Sequence, residues 1–127
     1  MILVDTDVLI AHLRGVRVAR DWLHRARLAD PLAVSVVTVA ELTGGMRSGE
    51  RAAVHRLLSA FRIEPVTEAI GRRAGEFMRQ YRRSHTGIAT ADYLIAATAD
   101  ERGAALATLN VRHFPMLDDL QPPFVLD

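Results

Sequence analysis

The sequence predicts an α/β protein that forms one domain around a parallel sheet. Short apolar segments typical of strands alternate with segments of helical periodicity, and this alternation is characteristic of parallel α/β folds. The chain has 127 residues, of which 50% are hydrophobic, so one core can form without disulfides or metals. No internal repeat, low-complexity stretch or linker interrupts the sequence. Residues 1–127 are therefore expected to form a single domain.

The first half of the chain is predicted to contain two strands and four helices. An apolar run that ends in Asp5 is typical of a buried strand, and Gly15 separates two segments with apolar residues at helical spacing. Asp30 and Pro31 predict a turn before the second strand, and Gly49 separates two further helices. In order, the predicted elements are a strand at 1–5, helices at 7–14 and 16–28, a strand at 32–36, and helices at 38–46 and 50–61.

The second half is predicted to contain two helices between short extended segments. Thr67 is a typical cap for a helix whose apolar stripe runs from Ile70 to Tyr81. Gly103 is a typical residue at the end of the next helix. The predicted elements are an extended segment at 63–66, helices at 68–83 and 89–102, a strand at 104–108, and a last strand at 124–126.

Composition excludes several kinds of catalytic site. The chain has no cysteine, which rules out disulfides, thiolate nucleophiles and cysteine-ligated metal centres. All 16 basic residues are arginine, so Schiff-base chemistry and the lysine of a P-loop are also excluded. The net charge of +1 does not by itself indicate a nucleic-acid partner. The five histidines lack the spacing of a histidine-ligated metal site.

The sequence lacks the usual features of membrane and secreted proteins. No apolar run approaches the roughly 20 residues that span a bilayer. The amino terminus enters a predicted strand directly, without the basic and apolar regions of a signal peptide. We therefore expect a cytoplasmic protein without a membrane partner.

Three acidic residues lie where predicted strands end or helices begin. Asp5 ends the first strand, Glu41 follows the second, and Asp92 lies in the first turn of a helix. Ligands of open α/β sheets bind at the carboxyl ends of the strands, where these side chains can converge. Three carboxylates in one pocket repel one another and become protonated unless a cation joins them. Mg²⁺ or Mn²⁺ suits oxygen ligands of this kind.

Most acids in these segments also have a local structural explanation. Asp7 stands at the predicted start of a helix, where it can act as the N-cap. Glu41 lies three residues after Thr38, which is the spacing of a capping box. Asp92 gains from the helix macrodipole. Asp5 has no comparable explanation, so it is the strongest candidate for a functional role.

Four segments together resemble the PIN-domain ribonucleases, and more narrowly the VapC toxins of bacterial type II toxin–antitoxin pairs. The segments occur in the order found in that family and cover nearly the whole chain. They are DTDVLI at 5–10, SVVTVAEL at 35–42, IATADYLIAATA at 88–99 and TLNVRHF at 108–114. The resemblance implies a single PIN-like domain, with a three-layer α/β/α architecture and a central, mostly parallel sheet.

The resemblance also implies a metal-dependent endoribonuclease that hydrolyses RNA phosphodiester bonds with a metal-activated water. Asp5, Glu41 and Asp92 would be the catalytic acids and the ligands of Mg²⁺ or Mn²⁺. Asn110 stands where the family often has a fourth acid; its amide can orient water but adds no charge, which puts a second metal in doubt. Supporting roles are implied for Asn110, Thr6, Thr108 and Asp7.

The partners implied by the resemblance are a VapB-type antitoxin, RNA and a second copy of the chain. Apolar faces around Trp22 and around Leu57 and Leu58 are candidate surfaces for the homodimer. Basic side chains near the end of the predicted helix at 68–83 suit RNA phosphates, although an ordinary solvated face explains them equally well. These candidates are Arg79, Arg82, Arg83 and His85. His113 is expected to hold its own loop in place.

Three alternative interpretations have less support in the sequence. The run from Asp5 to Val8 also fits the opening motif of haloacid dehalogenase-like phosphatases, in which Asp5 would be the nucleophile and Asp7 the general acid. That interpretation leaves Glu41 and Asp92 unexplained. A phosphoacceptor receiver domain requires a lysine, which the chain lacks. A catalytically inactive PIN-fold binding protein is compatible with the sequence.

Overall fold

The computed structural model describes residues 1–126, in which a four-stranded sheet lies between two groups of helices. The strands are β1 (Ile2–Val4), β2 (Leu32–Ser35), β3 (Arg62–Glu64) and β4 (Ala105–Ala107). The helices are α1 (Thr6–Leu13), α2 (Arg17–Ala29), α3 (Val36–Gly45), α4 (Arg51–Leu58), α5 (Glu68–Tyr81) and α6 (Thr90–Arg102). Two short 3₁₀ helices cover Ser48–Glu50 and Val111–His113.

The strands pair in parallel in the order β3-β2-β1-β4, which confirms the predicted parallel sheet. β1 lies inside the sheet, because Ile2 is opposite both Leu32 of β2 and Ala105 of β4. The carboxyl ends of β1 and β4 therefore lie side by side at one edge. This register brings Asp5 next to Thr108, although the two residues are far apart in sequence.

Two hydrophobic clusters cover the two faces of the sheet and confirm the three-layer architecture. Leu3 belongs to the cluster that contains Phe77 of α5 and Tyr93 of α6. Its neighbour Val4 belongs to the other cluster, which contains Leu23 of α2 and further side chains of α1, α3 and α4. Successive side chains of a strand point to opposite faces, so β1 and β2 contribute to both clusters.

Two helices begin earlier than predicted, because the residue at the end of the preceding strand segment acts as the cap. Asp5 caps α1, whose first residue is Thr6. Ser35 caps α3, since its hydroxyl accepts a 3.0 Å hydrogen bond from the N–H of Val37. α3 therefore follows β2 directly and begins at Val36. Both helix starts are thus fixed at the edge of the sheet where the acids lie.

The ends of the later helices agree closely with the sequence pattern. The hydroxyl of Thr67 accepts a 3.2 Å hydrogen bond from the N–H of Ile70 and caps α5 as predicted. Gly103 ends α6 with a φ of 61°, a left-handed conformation that glycine adopts without strain. The predicted helix at 50–61 is shorter in the structure, where a 3₁₀ turn leads into α4 and α4 ends at Leu58.

The predicted strand at 124–126 is wrong, because this segment is irregular in the structure. Pro122 and Pro123 precede it, and proline has no N–H to donate to a sheet. Phe124 instead packs against Trp22 of α2, with the ring centroids 6.3 Å apart. Among residues 1–126, no helix is both long and apolar enough to cross a membrane.

Candidate active site

Asp5 lies between β1 and α1 and is held by two hydrogen bonds. Its Oδ1 accepts a 2.8 Å bond from the N–H of Thr6, which makes it the N-cap of α1. Its Oδ2 accepts a 2.7 Å bond from the hydroxyl of Thr108, which follows β4. The expectation that Asp5 has no structural role is therefore wrong. The residue caps a helix and also joins the ends of two neighbouring strands.

The environment of Asp5 disfavours its charged form. Burial raises the pKa of Asp5 to about 7, and the nearby carboxylates of Asp7 and Asp92 act in the same direction. The hydrogen bonds from Thr108 and Thr6 lower the pKa, but their effect is smaller than that of burial. Repulsion between neighbouring acids and loss of water around Asp5 thus outweigh its local stabilisation.

Asp7 does not cap α1 as predicted, because Asp5 occupies that position. Its Oδ2 accepts a 3.1 Å hydrogen bond from the N–H of Leu109 and lies 3.3 Å from the hydroxyl of Thr108. Its Oδ1 is buried and has no hydrogen-bond partner among the described residues. Burial also raises the pKa of Asp7. Asp7 thus ties α1 to the loop after β4 and retains one unsatisfied carboxylate oxygen.

Glu41 is joined to this group through Thr6. The hydroxyl of Thr6 donates a 2.6 Å hydrogen bond to Oε1 of Glu41 and lies 3.0 Å from the hydroxyl of Thr38. A hydroxyl has one proton, so Thr6 donates to Glu41 and accepts from Thr38. The predicted capping box of Thr38 and Glu41 is wrong, because α3 begins at Val36 and is capped by Ser35.

Asp92 lies in the first turn of α6, as predicted. Its Oδ2 accepts a 3.1 Å hydrogen bond from the N–H of Ala89 and lies 3.1 Å from Nδ1 of His113. Nδ1 of His113 is also 2.9 Å from Nδ2 of Asn110, whose backbone N–H donates to the hydroxyl of Thr108 at 3.1 Å. His113 therefore holds its loop in place, as expected, by bridging Asn110 and Asp92.

All seven predicted catalytic and supporting residues belong to one continuous set of contacts. Thr6 and Thr108 connect the carboxylates near β1, and His113 connects Asp92 to the same group through Asn110. We call this set the acid network; its members are Asp5, Thr6, Asp7, Glu41, Asp92, Thr108, Asn110 and His113. The contact between His113 and Asp92 was not predicted from the sequence. The position of His113 three residues after Asn110 was the available signal.

The predicted RNA-contacting side chains do not join the acid network in the described residues. Arg79, Arg82 and Arg83 are exposed at the end of α5 and in the turn that follows it, and His85 lies in the next loop. Nδ1 of His85 is 2.8 Å from the hydroxyl of Ser84. None of the four forms a hydrogen bond or ion pair with an acid of the network in residues 1–126. Their role in binding RNA stays a prediction.

The donor set of the acid network fits a hard divalent cation in charge and in chemistry. Asp5, Asp7 and Glu41 form no ion pair with an arginine in the part of the chain described, and Oδ1 of Asp7 is buried without a partner. Carboxylate oxygens are the ligands that Mg²⁺ and Mn²⁺ prefer. Among residues 1–126, however, no three acidic or histidine side chains already form a closed metal site.

Comparison with known proteins identifies the family. Residues 2–119 match the model of the PIN domain. Ribonuclease VapC10 of Mycobacterium tuberculosis is 65% identical over 126 residues, which cover 99% of this chain and 95% of the relative. Ribonuclease VapC19 of the same organism is 46% identical over 125 residues, which cover 98% of this chain and 100% of the relative.

A solved structure agrees with this assignment. The toxin–antitoxin complex from Klebsiella pneumoniae contains a chain that matches with a TM-score of 0.81 and 26% sequence identity, over 99% of this chain and 100% of that chain. The family match sets aside the haloacid dehalogenase-like and receiver-domain interpretations. The chain belongs to the PIN domain family and, within it, to the VapC ribonucleases.

Proposed function

We propose that this protein is a Mg²⁺- or Mn²⁺-dependent endoribonuclease and the toxin of a type II toxin–antitoxin pair. The observation that carries the proposal is the acid network, in which four carboxylates share one edge of the sheet without an arginine partner among the described residues. The relatives named as ribonucleases support hydrolysis of RNA. The toxin–antitoxin complex with the same fold supports an antitoxin partner.

In this proposal Asp5, Glu41 and Asp92 hold the cation, and Asp7 adds charge beside them. A bound Mg²⁺ or Mn²⁺ would lower the pKa of water and neutralise charge on the phosphate. The chain itself supplies orientation. Thr6 holds Oε1 of Glu41, and Thr108 holds Oδ2 of Asp5. Because both hydroxyls are buried, the carboxylate geometry is set before a substrate arrives.

RNA would reach the acid network past the exposed basic side chains that follow α5. Arg82 and Arg83 form no ion pair within residues 1–126, so both guanidinium groups are available to phosphate oxygens. Such contacts position the backbone without reading the base sequence. In this proposal the arginines, together with Arg79 and His85, contribute affinity for RNA, and the acid network contributes the chemistry.

Cleavage by the purified protein tests the proposal. RNA should be cut internally with Mg²⁺ or Mn²⁺ and remain intact with a chelator. Asp5→Asn, Glu41→Gln and Asp92→Asn should each abolish cleavage, and none should substantially lower the melting temperature. Asp21→Asn, which changes an exposed acid of α2, is the matched control and should cut normally. A wild type that binds RNA without cutting it would instead favour an inactive PIN-fold binding protein.

We propose that the antitoxin docks in a groove between α1, α2 and α4. The groove encloses about 500 Å³; its floor includes Leu23 and Leu57, and its rim carries three arginines. The arginines are Arg20, Arg27 and Arg56. Among the described residues, no acidic side chain lines this groove. An antitoxin segment with apolar residues on one face and carboxylates along its edges would complement both features.

We also propose a homodimer, in which two copies of the chain contact each other through α2 and the segment around Phe124. Trp22 is half-buried against Phe124, and two strongly exposed apolar side chains lie on the same two segments. Leu28 is 78% exposed and Val125 is 76% exposed. The molecular mass in solution tests this surface, since Leu28→Gln should shift a dimer towards monomer. Leu57 and Leu58, the other candidate dimer face predicted from the sequence, lie on α4, and Leu57 also lines the groove proposed here for the antitoxin.

A further inference from the structure

We infer that His113 is a positioning residue that holds the carboxylate of Asp92 in the orientation required to bind the cation. This inference rests on the proposed function. One ring nitrogen of His113 contacts both neighbours: Nδ1 is 3.1 Å from Oδ2 of Asp92 and 2.9 Å from the side-chain amide of Asn110. No other side chain contacts the carboxylate of Asp92 through a hydrogen bond in residues 1–126.

The chemistry of the neighbours assigns the proton on the ring. An ionised carboxylate only accepts hydrogen bonds, so Nδ1 must carry a proton to make a favourable contact with Asp92. With Nδ1 protonated, the side-chain amide of Asn110 presents its oxygen to Nδ1 as an acceptor. The oxygen and nitrogen of a side-chain amide are assigned from their hydrogen-bond partners in this way. His113 is thereby held between Asn110 and Asp92, and its ring has one orientation.

The backbone around His113 keeps the ring in place. The 3₁₀ helix Val111–His113 begins immediately after Asn110, and the N–H of His113 donates a 3.0 Å hydrogen bond to the carbonyl of Asn110. The next residue, Phe114, is 1% exposed and packs in the cluster between the sheet and α5 and α6. A buried aromatic side chain thus anchors the loop directly beside the ring.

The two hydrogen bonds to Asp92 fall on the same oxygen. Oδ2 receives the N–H of Ala89 and faces Nδ1 of His113, whereas Oδ1 has no hydrogen-bond partner in the described part of the chain. A carboxylate held through one oxygen cannot rotate freely. His113 therefore leaves Oδ1 available to a cation and prevents the side chain from adopting other rotamers.

Two substitutions at one position separate positioning from loop structure. His113→Ala removes the donor, and we expect the dissociation constant for Mn²⁺, measured by calorimetry without RNA, to rise about tenfold. His113→Asn places an amide N–H where Nδ1 lies, and we expect it to restore most of the affinity. RNA cleavage by His113→Ala should recover when Mn²⁺ is raised about tenfold. His55→Ala, at an exposed position of α4, is the matched control and should change neither quantity.

The measurements on these variants decide whether His113 positions Asp92. Equal Mn²⁺ affinity in wild type and His113→Ala would overturn the inference, and so would a wild type that binds no Mn²⁺. Equal loss in His113→Ala and His113→Asn, with a lower melting temperature in both, would show that the histidine acts only through loop structure and would also overturn it. If the wild type binds Mn²⁺ and cuts no RNA, the proposed function fails, while the comparison of affinities still decides the role of His113.

Discussion

The hydroxyl of Thr6 donates a 2.6 Å hydrogen bond to Oε1 of Glu41, a residue 35 positions further along the chain. Thr6 is the first residue of α1, and Glu41 lies in the middle of α3. The bond therefore connects two helices that begin at neighbouring strands. It joins Glu41 to Asp5, since the N–H of the same threonine donates to Oδ1 of Asp5. One residue thus orients two of the proposed metal ligands.

Removing the hydroxyl of Thr6 should impair cleavage without unfolding the protein. Thr6→Val keeps the shape of the side chain but leaves Glu41 without its donor, and we expect about a tenfold loss in kcat. Thr6→Ser should retain most activity. Thr43→Val is the control, because within residues 1–126 the hydroxyl of Thr43 bonds only to backbone carbonyls of its own helix. If Thr6→Val keeps the kcat of the wild type, Thr6 does not orient Glu41 for catalysis.

The metal-free protein should lose stability as the pH rises from about 4 to about 7. Burial and the charge of Asp7 raise the pKa of Asp5 from 3.8 to about 7, so the folded state keeps a proton that the unfolded chain has already lost. The free energy of unfolding then falls with pH across this window, by roughly 1–4 kcal/mol from this group, and the full loss remains above pH 7.

Denaturant unfolding at several pH values measures this effect. Asp5→Asn keeps a good helix cap and should be less sensitive to pH than the wild type between pH 4 and 7. Mn²⁺ should stabilise the wild type most at pH 8, because a cation favours the charged carboxylate. Asp21→Asn should behave like the wild type. Identical pH profiles for wild type and Asp5→Asn would contradict the raised pKa.

An added acid at position 110 should increase metal affinity. Asn110 is half-buried beside His113, and Asn110→Asp places a further carboxylate in the acid network. We expect the dissociation constant for Mn²⁺ to fall several-fold. The cleavage rate need not rise with it, because tighter binding of the ion does not by itself stabilise the transition state. Calorimetric titration of both proteins measures the change. Unchanged affinity would place position 110 outside the reach of the ion.

Charge reversal should separate antitoxin binding from RNA cleavage. Arg27→Glu with Arg56→Glu reverses charge on the rim of the groove, and we expect antitoxin affinity to fall about tenfold or more while cleavage is retained. Arg82→Glu with Arg83→Glu should show the opposite pattern, with weaker RNA binding and normal antitoxin binding. Parallel binding assays decide the question. Loss of both activities in either pair would show that the two surfaces are not independent.

The sequence alone determined the fold class, the order of the elements and the identity of the acids. Hydrophobic periodicity depends on neighbouring residues, so it located β1, β2, β4 and all six helices. Gly103 and Thr67 marked helix ends by their own conformational and hydrogen-bonding preferences. The last predicted strand failed because an apolar run after two prolines resembles a strand, although Phe124 finds its partner in Trp22 of α2.

Only the tertiary structure decided how the acids are held. Local spacing favoured Asp7 as a cap and paired Glu41 with Thr38, but Asp5 caps α1 and Glu41 bonds to Thr6. The strongest example is the 2.7 Å bond between Asp5 and Thr108, which are 103 positions apart. Such a bond exists only because β1 and β4 pair in a particular register. Sequence spacing describes contacts within a helix, whereas the position of an acid at the edge of a sheet depends on which strands lie next to each other.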